Sequence, residues 1–269
     1  MKLNNSVKSI AIGSFDGIHV AHQALINQAQ AVVVIERNSG YLTPGCKRTI
    51  CLDKACYFYH LDKVKSLTPS EFVAKLTEDF PALEQIVIGY DFHFGKDKEG
   101  DVKSLIELFD GEVVVVDEVS VDGVAVHSRT IKAYLREGNI SMANKLLGKR
   151  YRIHGEVIRG QGLGIKELVA TINLKVKHYQ LPLEGVYATR TLIQDSWVNS
   201  VSFLGHRVTT DGSFAIETHI LDSDIADTQG MVWIEFVDFI RPNQKFEDLK
   251  QLKKQIELDC QEAKKILLK

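Results

Sequence analysis

SIAIGSFDGIHVAH, residues Ser9–His22, decides the fold class of the first half of the chain. Its opening five residues are a short run of β-branched and small side chains closed by Gly13, a second glycine follows at Gly17, and a helical pattern is expected from Val20 to Gln30. AVVVIE (Ala31–Glu36), IVIG (Ile86–Gly89) and EVVVVD (Glu112–Asp117) repeat the strand signal with mixed helical stretches between them. Apolar runs this continuous suit parallel strands covered on both faces, so the first half reads as a doubly wound α/β domain. Such sheets bind ligands at the C-terminal ends of their strands, which makes Gly13–His22 the first candidate site.

Working outward, Thr68 or Ser70 is placed to cap a helix through EFVAKLTEDF, with Glu71 in its first turn. KAYLREGNISMANKLLG reads as two helices broken at Gly138 and Asn139, with Gly148 ending the second. Past that point the pattern changes to short extended runs with polar interruptions: RIHGEVI, GVYATRTLI, WVNSVSFLG, FAIETHILD and MVWIEFVDFI. Turn signals at Glu184–Gly185 and Asp211–Gly212 separate several of them, and the set reads as a small antiparallel barrel. Leu249, Leu252, Ile256, Cys260, Ala263 and Leu267 then form one helical face, predicting a terminal helix against the barrel. The expected domains are residues 1–148 and 149–269.

Composition narrows the function classes. With 269 residues, 45% of them hydrophobic and 25% charged, the chain is long enough for two ordinary cores and is not of disordered type. Lys plus Arg (33) nearly balance Asp plus Glu (35), so no general polyanion surface, and hence no nucleic-acid partner, is expected. No apolar run approaches the ~20 residues of a membrane span, and no secretory signal is read, so no membrane partner and a cytoplasmic location are expected. Cys46, Cys51, Cys56 and Cys260 lack CxxC pairing and read as reduced thiols. Oligomeric state is left open.

Within the first candidate site, Gly13 and Gly17 permit close backbone approach, and His19 and His22 fall on one side of the first helical turn. Free N–H groups at a helix start and two imidazoles then face one anion-sized space, which suits a triphosphate. A surface histidine pair, or a metal triad completed by Asp16, are the other readings of these residues. A P-loop is excluded, because GxxxxGK followed by Ser or Thr is absent.

The stretch resembles the GxFDGxHxGH motif of the nucleotidyltransferase superfamily, specifically the adenylyltransferase half of bacterial bifunctional riboflavin kinase/FMN adenylyltransferases, or FAD synthetases. Ala21 stands where that motif has its last glycine. GYDFHFGKDKEG (Gly89–Gly100) is similar to the family's GxDFxFGxxRxG segment, with Asp91, Phe92, Phe94 and Gly95 matching and Lys98 in place of arginine. VHSRTIK resembles the family's phosphate-binding segment in keeping Ser128, while His127, Arg129 and Lys132 replace a serine, a serine or threonine, and an arginine. The resemblance implies nucleotide binding by Gly13, Phe15, Asp16, Gly17, Ser128 and Lys132, phosphate stabilisation by His19 and His22, and flavin binding by Asp91, Phe92 and Phe94. From the residues alone, Phe92 and Phe94 also read as ordinary core. A lysine does not reproduce the bidentate fork of an arginine, so weaker adenylyl transfer is one implication of Lys132.

GEVIRGQGLGIKELVATINL (Gly155–Leu174) carries Gly160, Gly162 and Gly164, spaced either for ordinary turns or for a loop around phosphates. Thr171 and Asn173 follow two apart in an extended run, so a hydroxyl and a carboxamide project from one face, and both offer oxygen to Mg²⁺. The stretch resembles the riboflavin kinase segment ending in PTAN, with Ala170 and Ile172 replacing its proline and alanine. LPLEGVYATRT, VSFLGHRVTT, AIETHILD and IRPNQKF are similar, in order, to further segments of that half. Alternation puts Glu217 on the same face as His219, opposite Ile216 and Thr218. By itself it reads as a solvated strand carboxylate; the resemblance implies the catalytic one.

The fold implied is α/β plus β: a Rossmann-like nucleotidyltransferase domain, then a small antiparallel β-barrel riboflavin kinase domain with a C-terminal helix. The activity implied is phosphorylation of riboflavin to FMN and adenylylation of FMN to FAD, with ATP, riboflavin and FMN as substrates and Mg²⁺ as cofactor. Three alternatives are carried: a riboflavin kinase whose first domain has lost adenylyl transfer, a non-catalytic flavin- or nucleotide-binding module, and nucleotidyl transfer to a different phosphorylated substrate. Retention of Glu217 argues against the pure binder.

Overall fold

Side chains of β1 (Ser9–Gly13) point alternately to the two faces of a sheet, and each face is covered by its own apolar cluster. The computed structural model describes residues 6–37, 41–158, 169–209, 211–221 and 228–268, in two units, Met1–Ser128 and Arg129–Lys269. In the first unit, β1 is followed by α1 (Val20–Ile26), β2 (Ala31–Glu36), β3 (Ala55–His60), α2 (Leu61–Val64), α3 (Pro69–Asp79), β4 (Gln85–Gly89), α4 (Val102–Leu108) and β5 (Glu112–Val116). A short ribbon, β6 (Ser120–Val121) with β7 (Val124–Ala125), closes it. The five long strands are all parallel in the order β3-β2-β1-β4-β5. Strand order therefore reverses beside β1, the place where open α/β sheets leave a crevice.

Ile10, Ile12, Val33, Ile86 and Ile88 pack on one face with Phe72 and Leu76 of α3 and Leu105 of α4. Ala11, Val32, Val34 and Val87 take the other face with Phe15, Ile18, Leu25 and Ile26. β3 corrects the sequence reading, which saw only helical pattern there. Its Tyr57 and Tyr59 join the first cluster and Cys56 and Phe58 the second, so ACYFYH alternates like its neighbours despite lacking their valine run. α1 ends at Ile26 rather than Gln30. The N–H groups of Gln28 and Ala29 bond three residues back, and the Lys54 ammonium takes the carbonyls of Ile26 (2.7 Å) and Ala29 (2.6 Å), so the last turn tightens and stops. Of the two caps allowed for α3, Thr68 is used, in a reciprocal box with Glu71.

The division falls in the first turn of α5 (Ser128–Arg136); α6 (Ile140–Leu147) follows after a break at Gly138 and Asn139 and is ended by left-handed Gly148, as the sequence suggests. The division between units thus falls earlier than the change of pattern at 148/149. The Leu135 carbonyl accepts from Leu183, and the Asn144 carboxamide bonds Tyr151 and Phe236 of the barrel. Six antiparallel strands then close on themselves: β8 (Tyr151–Ile158), β9 (Ile172–Val176), β10 (Gly185–Ile193), β11 (Ser196–His206), β12 (Phe214–Ile220) and β13 (Met231–Pro242), in the order β10-β11-β12-β9-β8-β13. α7 (Leu249–Leu267) packs outside, where Ala263 and Cys260 meet Val186, Ala188 and Val201. Facing the other way on those strands is a ladder of buried hydroxyls, Thr191–Ser200–Thr189–Ser202–Thr218, each step 2.8–2.9 Å. The hydroxyls satisfy one another, which is what lets a barrel bury them.

Candidate functional site

The loop after β1 is held in a conformation few side chains tolerate. Phe15 (φ 47°), Gly17 (φ 90°) and Ile18 (φ 45°) are all left-handed within four residues. Such a loop persists only when its surroundings over-determine it, and here they do. Phe15 is fully buried, its ring lying over Gly13, where a Cβ would come within 3.2 Å of it. The buried Asp16 carboxylate accepts from the N–H groups of Leu42 (2.8 Å) and Thr43 (3.0 Å), and its carbonyl accepts from the Ser128 hydroxyl (2.8 Å). Residues 41–48 are fastened in turn by Arg48, which is buried, donates to Gly45 O (3.1 Å) and Glu36 (3.4 Å), and lies over the Tyr41 ring.

What this frame presents is the histidine pair. His19 is the N-cap of α1, and its Nδ1 accepts from the His22 N–H (3.3 Å). An accepting Nδ1 leaves the ring proton on Nε2, so His19 is a neutral donor. The two imidazoles stack with centroids 3.5 Å apart and 17° between planes, and Phe15 packs edge-on to His22. Gly13, Phe15, Asp16, Gly17, His19, His22 and Ser128 are thus brought together, with Phe15 and Asp16 engaged in building the loop. Lys132 lies one turn along α5 from Ser128. Of the three flavin candidates, Asp91 is exposed, while Phe92 and Phe94 stack (5.6 Å) and pack into the first core cluster. Phe94 also pairs with Gly100 across a tight loop, where a Cβ would come within 2.8 Å of the ring.

In the barrel, register assembles the second constellation. Glu217 of β12 pairs with Asn173 of β9, so the two side chains leave the same face, with Thr171 and His219 next along it. Ile172, Ile216 and Thr218 are buried on the opposite face, as alternation requires. The Arg207 guanidinium joins the pair: Nε and Nη2 donate to Glu217 Oε1 (2.8 and 2.6 Å), and Nη2 also donates to Asn173 Oδ1 (2.9 Å). The His219 ring bonds the Ala170 carbonyl at 2.8 Å, tying down the residue before Thr171. Gly160, Gly162 and Gly164 lie outside the described residues. Arg207 stands within VSFLGHRVTT with no local signal of a role; its partners are 10 and 34 residues away, joined only by strand pairing. For Mg²⁺ the donor set fits: the Thr171 hydroxyl and the Asn173 carboxamide are hard oxygen donors on one face, and Asn173 Oδ1 keeps a second lone pair beside its bond to Arg207.

Comparison with known proteins follows the same division. Residues 48–130 match the FAD synthetase family model and residues 147–267 the riboflavin kinase model. The histidine pair precedes the first match, yet relatives cover it. Bifunctional riboflavin kinase/FMN adenylyltransferases of Pseudomonas fluorescens (29% identical, 94% of this chain and 91% of that protein), Listeria monocytogenes (29%, 97% and 93%) and Bacillus subtilis (28%, 94% and 90%) align along almost the full length. A crystal structure from Streptococcus pneumoniae, described as a macrolide-efflux protein, superposes with a TM-score of 0.86 at 27% identity over 97% of this chain and 95% of that one. With both models matched in order and the relatives aligned end to end, the chain belongs to the bacterial family of bifunctional riboflavin kinase/FMN adenylyltransferases.

Proposed function

We propose that the chain makes FMN and then FAD in two ATP-dependent steps, one in an adenylyltransferase domain over residues 1–148 and one in a riboflavin kinase domain over 149–269. The observation that carries the reading is the meeting of Glu217, Asn173 and Arg207 on one barrel face beside Thr171. Glu217 takes the proton from the ribityl 5'-hydroxyl of riboflavin as that oxygen attacks the γ-phosphate of ATP; ADP leaves and FMN is formed. Thr171 and Asn173 would hold Mg²⁺, which when bound neutralises charge on the phosphate oxygens. Gly160, Gly162 and Gly164 are assigned to the phosphates of this ATP.

In the first domain a phosphate oxygen of FMN attacks the α-phosphate of a second ATP, and pyrophosphate departs. The nucleophile is already an anion, so no base is needed; the task is to offset negative charge. His19, His22 and Lys132 do so, with N–H groups at Gly13, Gly17 and Ser128. Phe15 and Asp16 support the nucleotide through the loop they build. Asp91 and Phe92 are assigned to the flavin, with Phe94 stacked behind Phe92. The four free thiols fit a reducing, cytoplasmic setting, and the substrates are small molecules.

The test is incubation of purified protein with riboflavin, ATP and Mg²⁺, with flavins separated by chromatography. FMN and FAD together support the reading, FMN alone selects a kinase with a silent first domain, and riboflavin unchanged overturns it.

A further inference from the structure

We propose that Arg207 is a positioning residue of the kinase step, holding the Glu217 carboxylate and the Asn173 carboxamide oxygen in one fixed relation; this rests on the role given to Glu217 above. A glutamate on a barrel wall has three rotatable bonds and would otherwise sample many orientations, each but one useless for receiving a proton from a hydroxyl. Two N–H donors on a single oxygen, Nε at 2.8 Å and Nη2 at 2.6 Å, remove that freedom. They also leave Glu217 Oε2 as the oxygen not engaged by Arg207. The same Nη2 reaches Asn173 Oδ1, so base and metal-side donor are set by one planar group.

The guanidinium is itself fixed from behind. Arg207 Nη1 donates to Ser213 Oγ (2.8 Å), and the Ser213 hydroxyl donates to Asp211 (2.9 Å). The backbone closes the same turn: Arg207 N–H bonds Ser213 O (2.9 Å), and Gly212 N–H bonds Arg207 O (3.1 Å) with Gly212 at φ 72°. On the other flank the neighbouring His206 is held by Glu184 through its N–H (3.0 Å) and ring (2.8 Å), and by Asn243 at its carbonyl (2.7 Å). An arginine braced on three sides, with a side chain only 16% exposed, is built to hold its partners still.

The experiment is a double-mutant cycle on FMN formation by the full chain. Arg207→Ala is expected to lower kcat about 100-fold, within the range of a misplaced general base, with KM for riboflavin and ATP changed less than about threefold. Arg207→Lys, lacking the fork, is expected to recover only a small part of the loss, whereas free guanidinium ion added to Arg207→Ala recovers more. Adding Arg207→Ala to Glu217→Gln is expected to cost little beyond the single change, since there is no base left to position. Flavin fluorescence titration with riboflavin checks that each barrel still binds. If Glu217→Gln loses FMN formation while Arg207→Ala keeps wild-type kcat, or if the two losses simply multiply, the positioning role is overturned and the function stands. If wild-type protein forms no FMN, the function itself fails.

Discussion

A carboxylate that accepts two backbone N–H groups cannot be replaced by a methyl without stranding both donors. Asp16 is such a group, and its partners, Leu42 and Thr43, belong to the segment that Arg48 and Glu36 brace. Asp16→Ala is therefore expected to destabilise the first unit by about 1–3 kcal/mol in urea unfolding, the usual consequence of orphaning buried donors. It should also slow adenylylation of supplied FMN at least about tenfold by releasing the loop that carries His19, with FMN formation unchanged; Asp16→Asn, which keeps an acceptor oxygen, should recover most of both. The motif was legible in the sequence because strand, glycines and histidines are contiguous. The division of labour inside it was not: the spacing allowed Asp16 to complete a metal triad with the histidines, and only the fold shows its oxygen turned to a segment 26 residues on. Arg207 was hidden for the same reason, since strand register alone makes it a neighbour of Asn173.

At the scale of elements, the latch between the start of β10 and the end of β11 has a pH dependence of known sign. Glu184 accepts from the His206 N–H and contacts the His206 ring, and Gly205 (φ 146°) leaves room where a Cβ would come within 2.7 Å of the carboxylate. The backbone N–H of His206, and then its ring and the Asn243 carboxamide, hold Glu184 below the ordinary value of 4.5. A depressed acid stabilises the fold above its unfolded value and loses that contribution as pH falls through the folded one. The melting temperature of wild type should thus exceed that of Glu184→Gln at neutral pH, with the gap closing below pH 4.5; a gap constant across this range would contradict the latch. Both sheets were readable from apolar runs, since β1, β2, β4 and β5 are nearly pure aliphatic and the barrel strands lie between clear turn signals. β3 was missed because its alternation is carried by aromatics and a cysteine at a sheet edge. The barrel's inward hydroxyls look, in one dimension, like a wetted face; only cross-strand partners make their burial possible.

At the scale of the whole molecule the proposed roles are separable: the stacked histidine pair is assigned to phosphates in one unit, and the braced carboxylate to a hydroxyl in the other. Among the described residues no helix is long and apolar enough to cross a membrane. The most direct measurement is complementation in solution between two full-length variants, Glu217→Gln and His19→Ala, each supplied with riboflavin, ATP and Mg²⁺ and assayed for FAD. Alone, the first should form no FMN over the time in which wild type converts its riboflavin, and the second should stop at FMN; mixed, they should make FAD. A mixture that yields no FAD although wild type does, or a Glu217→Gln protein that still converts riboflavin to FAD unaided, would contradict two independent sites.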